Sequence, residues 1–188
     1  MALGNVLDPT AIRADDITSP GPDAGPLTGK TIGFRLDEIW RAWDWIAEIW
    51  AAEFEKAGAT VKFWRSHQGR TGAEGEKVAK ALDEFLDSID IAVVGLGNCG
   101  SCTGWTIRDA LSAANKGLPT TAICTEVFKE LGHQLAARGG RSGLRIHILP
   151  YPLNEKRRAE VEPVAFEHLQ SVQHTMGVDT HPRKEALA

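Results

Sequence analysis

The sequence predicts a three-layer αβα domain built on a five-stranded parallel sheet. Two observations predict it. Strand-like and helix-like runs alternate five times between residues 29 and 176, with short connections. The third strand run, residues 89–96, is almost wholly apolar, as a strand covered on both faces must be. For five such units the flavodoxin-like order 2-1-3-4-5 is expected. It places a crevice between the carboxyl ends of the first and third strands.

The elements follow in order. Residues 1–28 hold Pro9, Pro20, Pro22 and Pro26 among Asp, Gly and Ser, and read as an extended arm that lies across the domain or across a neighbouring subunit. Residues 29–176 form the single α/β domain. Residues 31–36 read as a short apolar strand and 37–56 as a helix stopped by Gly58. On that helix Ile39, Trp43, Ile46, Trp50 and Phe54 share one face, which is core. Trp40 lies at the edge of that stripe, where it would wall a pocket. Trp45 lies off the stripe, where it would mark a subunit interface. Residues 60–65 read as the second strand. In the second helix, 73–88, Val78, Leu82, Phe85 and Leu86 recur at helical spacing. Strand 89–96 and helix 103–116 follow, then strand 120–124 and helix 127–138. Strand 144–149 precedes a last helix over 154–176, interrupted near Pro163. Residues 177–188 read as a flexible tail.

Composition narrows the function classes. The chain has 188 residues and a formal net charge of −4, which gives no sign of a nucleic-acid or anionic-membrane partner. No apolar run approaches the roughly 18 residues of a spanning helix. The first residues lack a basic stretch followed by an apolar one, so a cytoplasmic location is expected. Three cysteines are too few for a disulfide scaffold; in a reducing compartment a C-x-x-C pair points to catalysis or metal binding. Gly29-Lys30-Thr31 looks like the close of a P-loop, but Ala24 stands where its first glycine belongs.

The loop after the third strand, GLGNCGSCT over residues 95–103, admits competing readings. Gly95, Gly97 and Gly100 fit the dinucleotide fingerprint. Here, however, the fingerprint follows the third strand rather than the first, and the candidate ribose-binding acid, Glu126, lies 26 residues after Gly100. Cys99-Gly100-Ser101-Cys102 fits a redox or nucleophilic pair. With the helix opening near Cys102, both sulfurs sit where unpaired N–H groups and the macrodipole favour an anion. Such placement lowers a thiol pKa from its usual value of about 8.5. The i, i+3 spacing lets one sulfur reach the other. A metal site would add Cys124, but it lacks a second C-x-x-C or a His pair. Two inert, buried cysteines are the bland alternative.

Cys99-Gly100-Ser101-Cys102-Thr103, Trp105, Asp109-Ala110, Gly117-Leu118-Pro119-Thr120 and Thr125-Glu126 resemble the UGSC-motif family of (seleno)proteins. So do Leu7-Asp8-Pro9-Thr10, Leu27, Gly29-Lys30, Ile32-Gly33 and Pro150-Tyr151-Pro152-Leu153. In selenoprotein members the first motif position is selenocysteine; here it is Cys99. The resemblance implies that Cys99 is the attacking atom and Cys102 its partner. More distantly, the loop is similar to the selenocysteine loop of the substrate-specific subunits of glycine and betaine reductases, which cleave a C–N bond reductively. The chain departs after its first strand. It carries Arg35-Leu36-Asp37-Glu38 where many relatives carry Asn-Gly-Lys-Pro, so the substrate class does not carry over.

The remaining loops of the expected crevice contribute Arg35 and Asp37, then Arg65, Ser66, His67, Arg70, Thr71 and Gly72, then Thr125 and Glu126, then Pro150 and Tyr151. Arginines near a thiol suggest a substrate with an anionic group, or a stabiliser of the thiolate itself. Arg70, between Gly69 and the Thr71-Gly72 pair, suits that role best. Backbone N–H groups of Ser101, Cys102, Thr103 and Gly104, beginning beside Gly100, would stabilise developing charge. Glu126 would serve as general acid or base, or else belong to the helix N-terminus. His147 alternates within the fifth strand and reads as structural.

The expected function is a thiol-dependent enzyme in which Cys99 attacks a small, anionic substrate and Cys102 either resolves the adduct as a disulfide or holds the thiolate by hydrogen bonding, with reductive cleavage of a carbon–heteroatom bond favoured. It needs no cofactor beyond an external thiol reductant. A homo-oligomer, or a hetero-oligomer with a second subunit, is expected. The competing classes are a cysteine-nucleophile hydrolase, lyase or hydratase, a dinucleotide-binding oxidoreductase, and a non-catalytic subunit of a larger complex.

Overall fold

All five expected strands are present in the computed structural model, which describes residues 14–66 and 71–179. The elements run β1 (Thr31–Asp37), α1 (Arg41–Lys56), β2 (Thr60–Ser66), α2 (Gly72–Leu86), β3 (Ile91–Gly97) and α3 (Gly100–Asn115). They continue through β4 (Thr120–Thr125), a 3-10 turn (Glu126–Phe128), α4 (Lys129–Arg138), β5 (Arg145–Leu149) and α5 (Arg158–Met176). The sheet is parallel throughout, in the order β2-β1-β3-β4-β5. This is the flavodoxin-like α/β fold.

The two faces of the sheet pack differently. Trp43, Trp50 and Phe54 of α1, with Val161, Ala165 and Val172 of α5, cover one face over Ile32, Phe34, Ile91, Val93 and Ile123. Both indoles are buried with their N–H groups satisfied. Trp43 donates to the Arg35 carbonyl at 3.1 Å, and Trp50 to the Ala165 carbonyl at 2.7 Å. The other face carries α2, α3 and α4 over Ala92, Val94 and Ala122. Both central strands are buried along their whole length, in keeping with the apolar run that predicts β3.

Several boundaries and placements differ from expectation, each for a local reason. β1 extends through Asp37, whose carboxylate accepts the N–H groups of Ile39 and Trp40 at 2.8 and 2.9 Å. That turn delays α1 to Arg41 and leaves Ile39 50% exposed instead of in the core. Trp45 is half-buried and packs, with Trp40, against the α1 core. α3 begins three residues earlier than expected, because Cys99 caps it. α5 begins four residues later and then continues past Pro163, which lies within it.

The described part of the arm lies across its own domain. Ala24 and Leu27 join the α1 core. The Ile17 N–H and carbonyl bond to Gly140 and Gly143, and Arg145 donates to the carbonyls of Pro20, Gly21 and Pro22 and pairs with Asp23. The beginning of the expected tail is held as well. Gly25 forms a parallel bridge with Val178, and Asp179 donates to the Gly25 carbonyl.

Candidate active site

β3 delivers Cys99 to the carboxyl edge of the sheet. Cys99 is the N-cap of α3, in extended conformation, and its Sγ accepts the N–H of Cys102 at 3.1 Å. A sulfur thus does what an Asp or Ser oxygen does at most N-caps: it satisfies a free donor of the first turn. Thr103 fastens the same turn by donating its hydroxyl to the Cys99 carbonyl at 2.7 Å. The Ser101 hydroxyl lies 3.4 Å from Cys99 Sγ. Cys99 and Cys102 form a disulfide, with Cα atoms 5.2 Å apart. Their surroundings differ sharply. Cys99 is half-buried, whereas Cys102 is 1% exposed. Gly100 and Ser101 beside them are exposed, and nothing lies within 4 Å of where a Gly100 Cβ would stand.

The fingerprint glycines serve packing. A Cβ on Gly95 would meet the Trp43 ring at 2.6 Å, and one on Gly97 would meet Cys124 Sγ at 2.7 Å and Thr103 Oγ1 at 3.1 Å. Both turn toward the interior; Gly100 faces open space. Cys124 is fully buried beneath this loop, and burial pushes its thiol up to about 12. Among the described residues no three His, Cys, Asp or Glu side chains gather as metal ligands.

A buried ionic network supports the loop from below. Arg35 is 1% exposed; its Nε donates to Asp109 Oδ2 at 2.8 Å and its Nη1 to the Gly95 carbonyl at 2.9 Å. Asp37 receives the Leu96 N–H at 3.4 Å on one carboxylate oxygen and caps the turn before α1 with the other. Two residues of β1 therefore hold both sides of the peptide that precedes the cysteine turn. Burial raises the Asp109 pKa, and the adjacent Arg35 guanidinium pulls against that rise. Sequence reasoning gave Asp109 no place in the site. Its spacing from Cys102, seven residues along one helix, puts both on the buried face of α3 and was the available clue.

The other expected residues divide into groups. Thr125 is buried and donates to the Gly97 carbonyl at 3.3 Å, which ties β4 to the loop. Gly104 is half-buried with nothing near its would-be Cβ. Glu126 is exposed at the start of the 3-10 turn. Tyr151 is 44% exposed, edge-on to Phe128 at 6.3 Å. Arg65 donates to the Asp37 carbonyl and pairs with Asp44 at 3.1 Å. Thr71 is the exposed N-cap of α2. Of the arginines expected near the thiol, Arg35 is engaged inside the fold and Arg65 turns toward α1. His67 and Arg70 lie outside the described residues.

A cavity of about 430 Å³ opens between α2 and α3, lined by Ser66, Thr71, Leu82, Trp105, Arg108 and Asp109 among others. The Arg108 guanidinium lies 5.1 Å from the centre of the Trp105 ring. Neither cysteine lines this cavity. No helix among the described residues is long and apolar enough to cross a membrane.

Comparison with known proteins adds the following. No curated protein matches the chain. Among solved structures it is similar to a mutant flavo di-iron protein from Thermotoga maritima, at 10% identity and a TM-score of 0.45. That likeness covers 78% of this chain and 36% of the other, so the chain spans about a third of that protein's length. The family model described as "UGSC family" matches residues 5–178, nearly the whole chain and every element of the fold: the chain belongs to the UGSC family.

Proposed function

We propose that the protein is a thiol-dependent enzyme in which Cys99 attacks a small, anionic substrate and Cys102 resolves the product. One observation carries this reading: of two sulfurs within bonding distance, the one capping α3 belongs to a half-buried residue and the other to a residue only 1% exposed. The helix N-terminus favours negative charge on Cys99 once the bond is open.

The favoured reaction is reductive cleavage. The Cys99 thiolate displaces the leaving group from a substrate carbon and forms a thioether. Cys102, as thiolate, then attacks Cys99 Sγ, so that the carbon departs with the electron pair and takes a proton. The pair is left oxidised as a disulfide, and an external thiol donor reduces it. Departure of that carbon requires an adjacent electron-withdrawing group, such as a carboxylate or carbonyl. Glu126, exposed after β4, supplies the proton. Supporting this reading, the chain belongs to the UGSC family; the resemblance of its loop to the reductase subunits, read from the sequence, suggests the bond type. A reducing cytoplasm suits an enzyme whose resting state is the dithiol.

Mass spectrometry of the intact, reduced protein after iodoacetamide treatment at graded pH tests the reading. Cys99 is expected to alkylate at a pH where an ordinary thiol, with a pKa of about 8.5, does not. Removal of reductant is expected to re-form the Cys99–Cys102 bond. If all three cysteines react only near pH 8.5 or above, or only after unfolding, the reading fails.

A further inference from the structure

The thiol chemistry makes no use of the cavity between α2 and α3. Its volume, about 430 Å³, is that of a small-ligand pocket. Val78, Ala79, Leu82 and Leu86 of α2 and Trp105 of α3 give it an apolar lining. Trp105 stands apart from the other tryptophans. Trp40, Trp43, Trp45 and Trp50 belong to the core on one face of the sheet and Trp64 to the core on the other, whereas Trp105 joins neither. A half-buried indole with no core to fill offers its apolar surface to whatever enters the cavity.

Two polar groups of α3 complete the lining. Arg108 sets its guanidinium carbon 5.1 Å from the centre of the Trp105 ring. Stacking engages the flat face of a guanidinium and leaves its in-plane N–H donors open. Asp109 is 7% exposed and gives Oδ2 to Arg35; no hydrogen bond among the described residues reaches its Oδ1. Arg35 in turn keeps one buried nitrogen, Nη2, without a partner. Polar atoms with unused bonding capacity therefore lie on and behind the cavity wall.

The charges select the ligand. The acids of the lining are Glu76, Asp83 and Asp109. Asp83 is paired with Lys116 at 2.7 Å and Asp109 with Arg35 at 2.8 Å, and Glu76 is exposed on α2. Arg108 is the cation of the lining, and no carboxylate among the described residues lies within ion-pair distance of it. A carboxylate matches the donors of a guanidinium two at a time. We propose that this cavity binds an organic carboxylate with a ring-sized apolar body, the body against Trp105 and the α2 leucines and the carboxylate on Arg108. Neither cysteine lines the cavity, so the site is separate from the thiol centre and stands whether or not Cys99 reacts.

Calorimetric titration of the full-length protein tests the proposal with three probes. Phenylacetate carries both the ring and the anion, 2-phenylethylamine the ring with the opposite charge, and acetate the anion without the ring. Phenylacetate is expected to bind saturably and at least about tenfold more tightly than either of the others, the factor that a charge-assisted hydrogen bond supplies. Arg108→Gln, at an exposed position, is expected to weaken phenylacetate by at least about tenfold and to leave the amine unchanged. Ala79→Trp, which fills the cavity from an exposed position, is expected to abolish binding at the wild-type Tm. Cys99→Ser is expected to bind phenylacetate as the wild type does. Tighter binding of the amine, undiminished affinity in Arg108→Gln or Ala79→Trp, or no saturable binding of phenylacetate overturns the assignment. Loss of binding in Cys99→Ser overturns it too, by moving the carboxylate to the thiol centre.

Discussion

At the scale of single residues, the cysteine loop is shaped by what packs beneath it. Gly95 leaves the room that Trp43 occupies, and Gly97 the room for Cys124 and Thr103. A methyl group at residue 95 has no flexible chain end to displace, only a buried indole held by its bond to the Arg35 carbonyl. Gly95→Ala is therefore expected to cost about 1–3 kcal/mol through overpacking. In a protein of this size that is a fall of several degrees in Tm, on the order of 2–4 °C per kcal/mol. An unchanged Tm would mean that Trp43 yields freely. The same reasoning separates this loop from a phosphate cradle. The spacing of its glycines is that of the dinucleotide fingerprint, but spacing cannot tell a glycine that admits a ligand from one that admits a tryptophan.

At the scale of elements, α5 is joined to β5 by a pair of imidazoles, His147 buried and His168 half-buried. His147 Nδ1 lies 3.2 Å from Thr175 Oγ1, and its Nε2 lies 3.1 Å from His168 Nδ1. The Thr175 hydroxyl donates to the Ser171 carbonyl, so its oxygen is left to accept from His147 Nδ1–H. His147 Nε2 is then the acceptor and His168 the donor. Trp50 meets the His147 ring edge-on. Burial, and then the neighbouring His168, lower the His147 pKa to about 4 from an ordinary 6.5. The folded state thus binds fewer protons than the unfolded chain between these values. The associated stability is fully present above pH 6.5 and is lost as pH falls from 6.5 toward 4. Its full extent is about 3 kcal/mol, taking roughly 1.4 kcal/mol per unit. Thermal melts of the wild type are expected to show this acid limb, and His147→Gln to flatten it; equal pH dependence in the two would refute the assignment. The sequence marked His147 as structural by strand alternation. It gave no reason to pair it with His168, which is 21 residues distant and on another element.

At the scale of the whole molecule, the arm closes one side of the domain. β5 is an edge strand, and Arg145 on it gathers three arm carbonyls and Asp23 while its own side chain is 11% exposed. Hydrogen bonds to a charged donor contribute about 1.5–3 kcal/mol. Arg145→Ala is therefore expected to speed proteolytic cleavage between residues 14 and 26 by at least about tenfold, the factor that 1.4 kcal/mol represents. Cleavage at the wild-type rate would show that Ala24, Leu27 and the bridge to Val178 hold the arm unaided.

The sequence by itself determined the five β-α units, the strand order and the position of Cys99 and Cys102 at the start of α3. These are local matters: apolar periodicity, glycine stops and i, i+3 spacing are written in consecutive residues, and the right-handed crossover does the rest. Tertiary structure alone decided the fates of the polar residues. Arg35, expected to meet a substrate, meets Asp109, 74 positions away, and holds Gly95. Ile39, expected in the core, stands exposed because Asp37 caps the turn beneath it. Cys99 is half-buried and Cys102 only 1% exposed, although three positions separate them on one turn. A charge or a thiol is defined chemically by its own residue. Its partner, and therefore its availability, is set by the groups that folding brings against it.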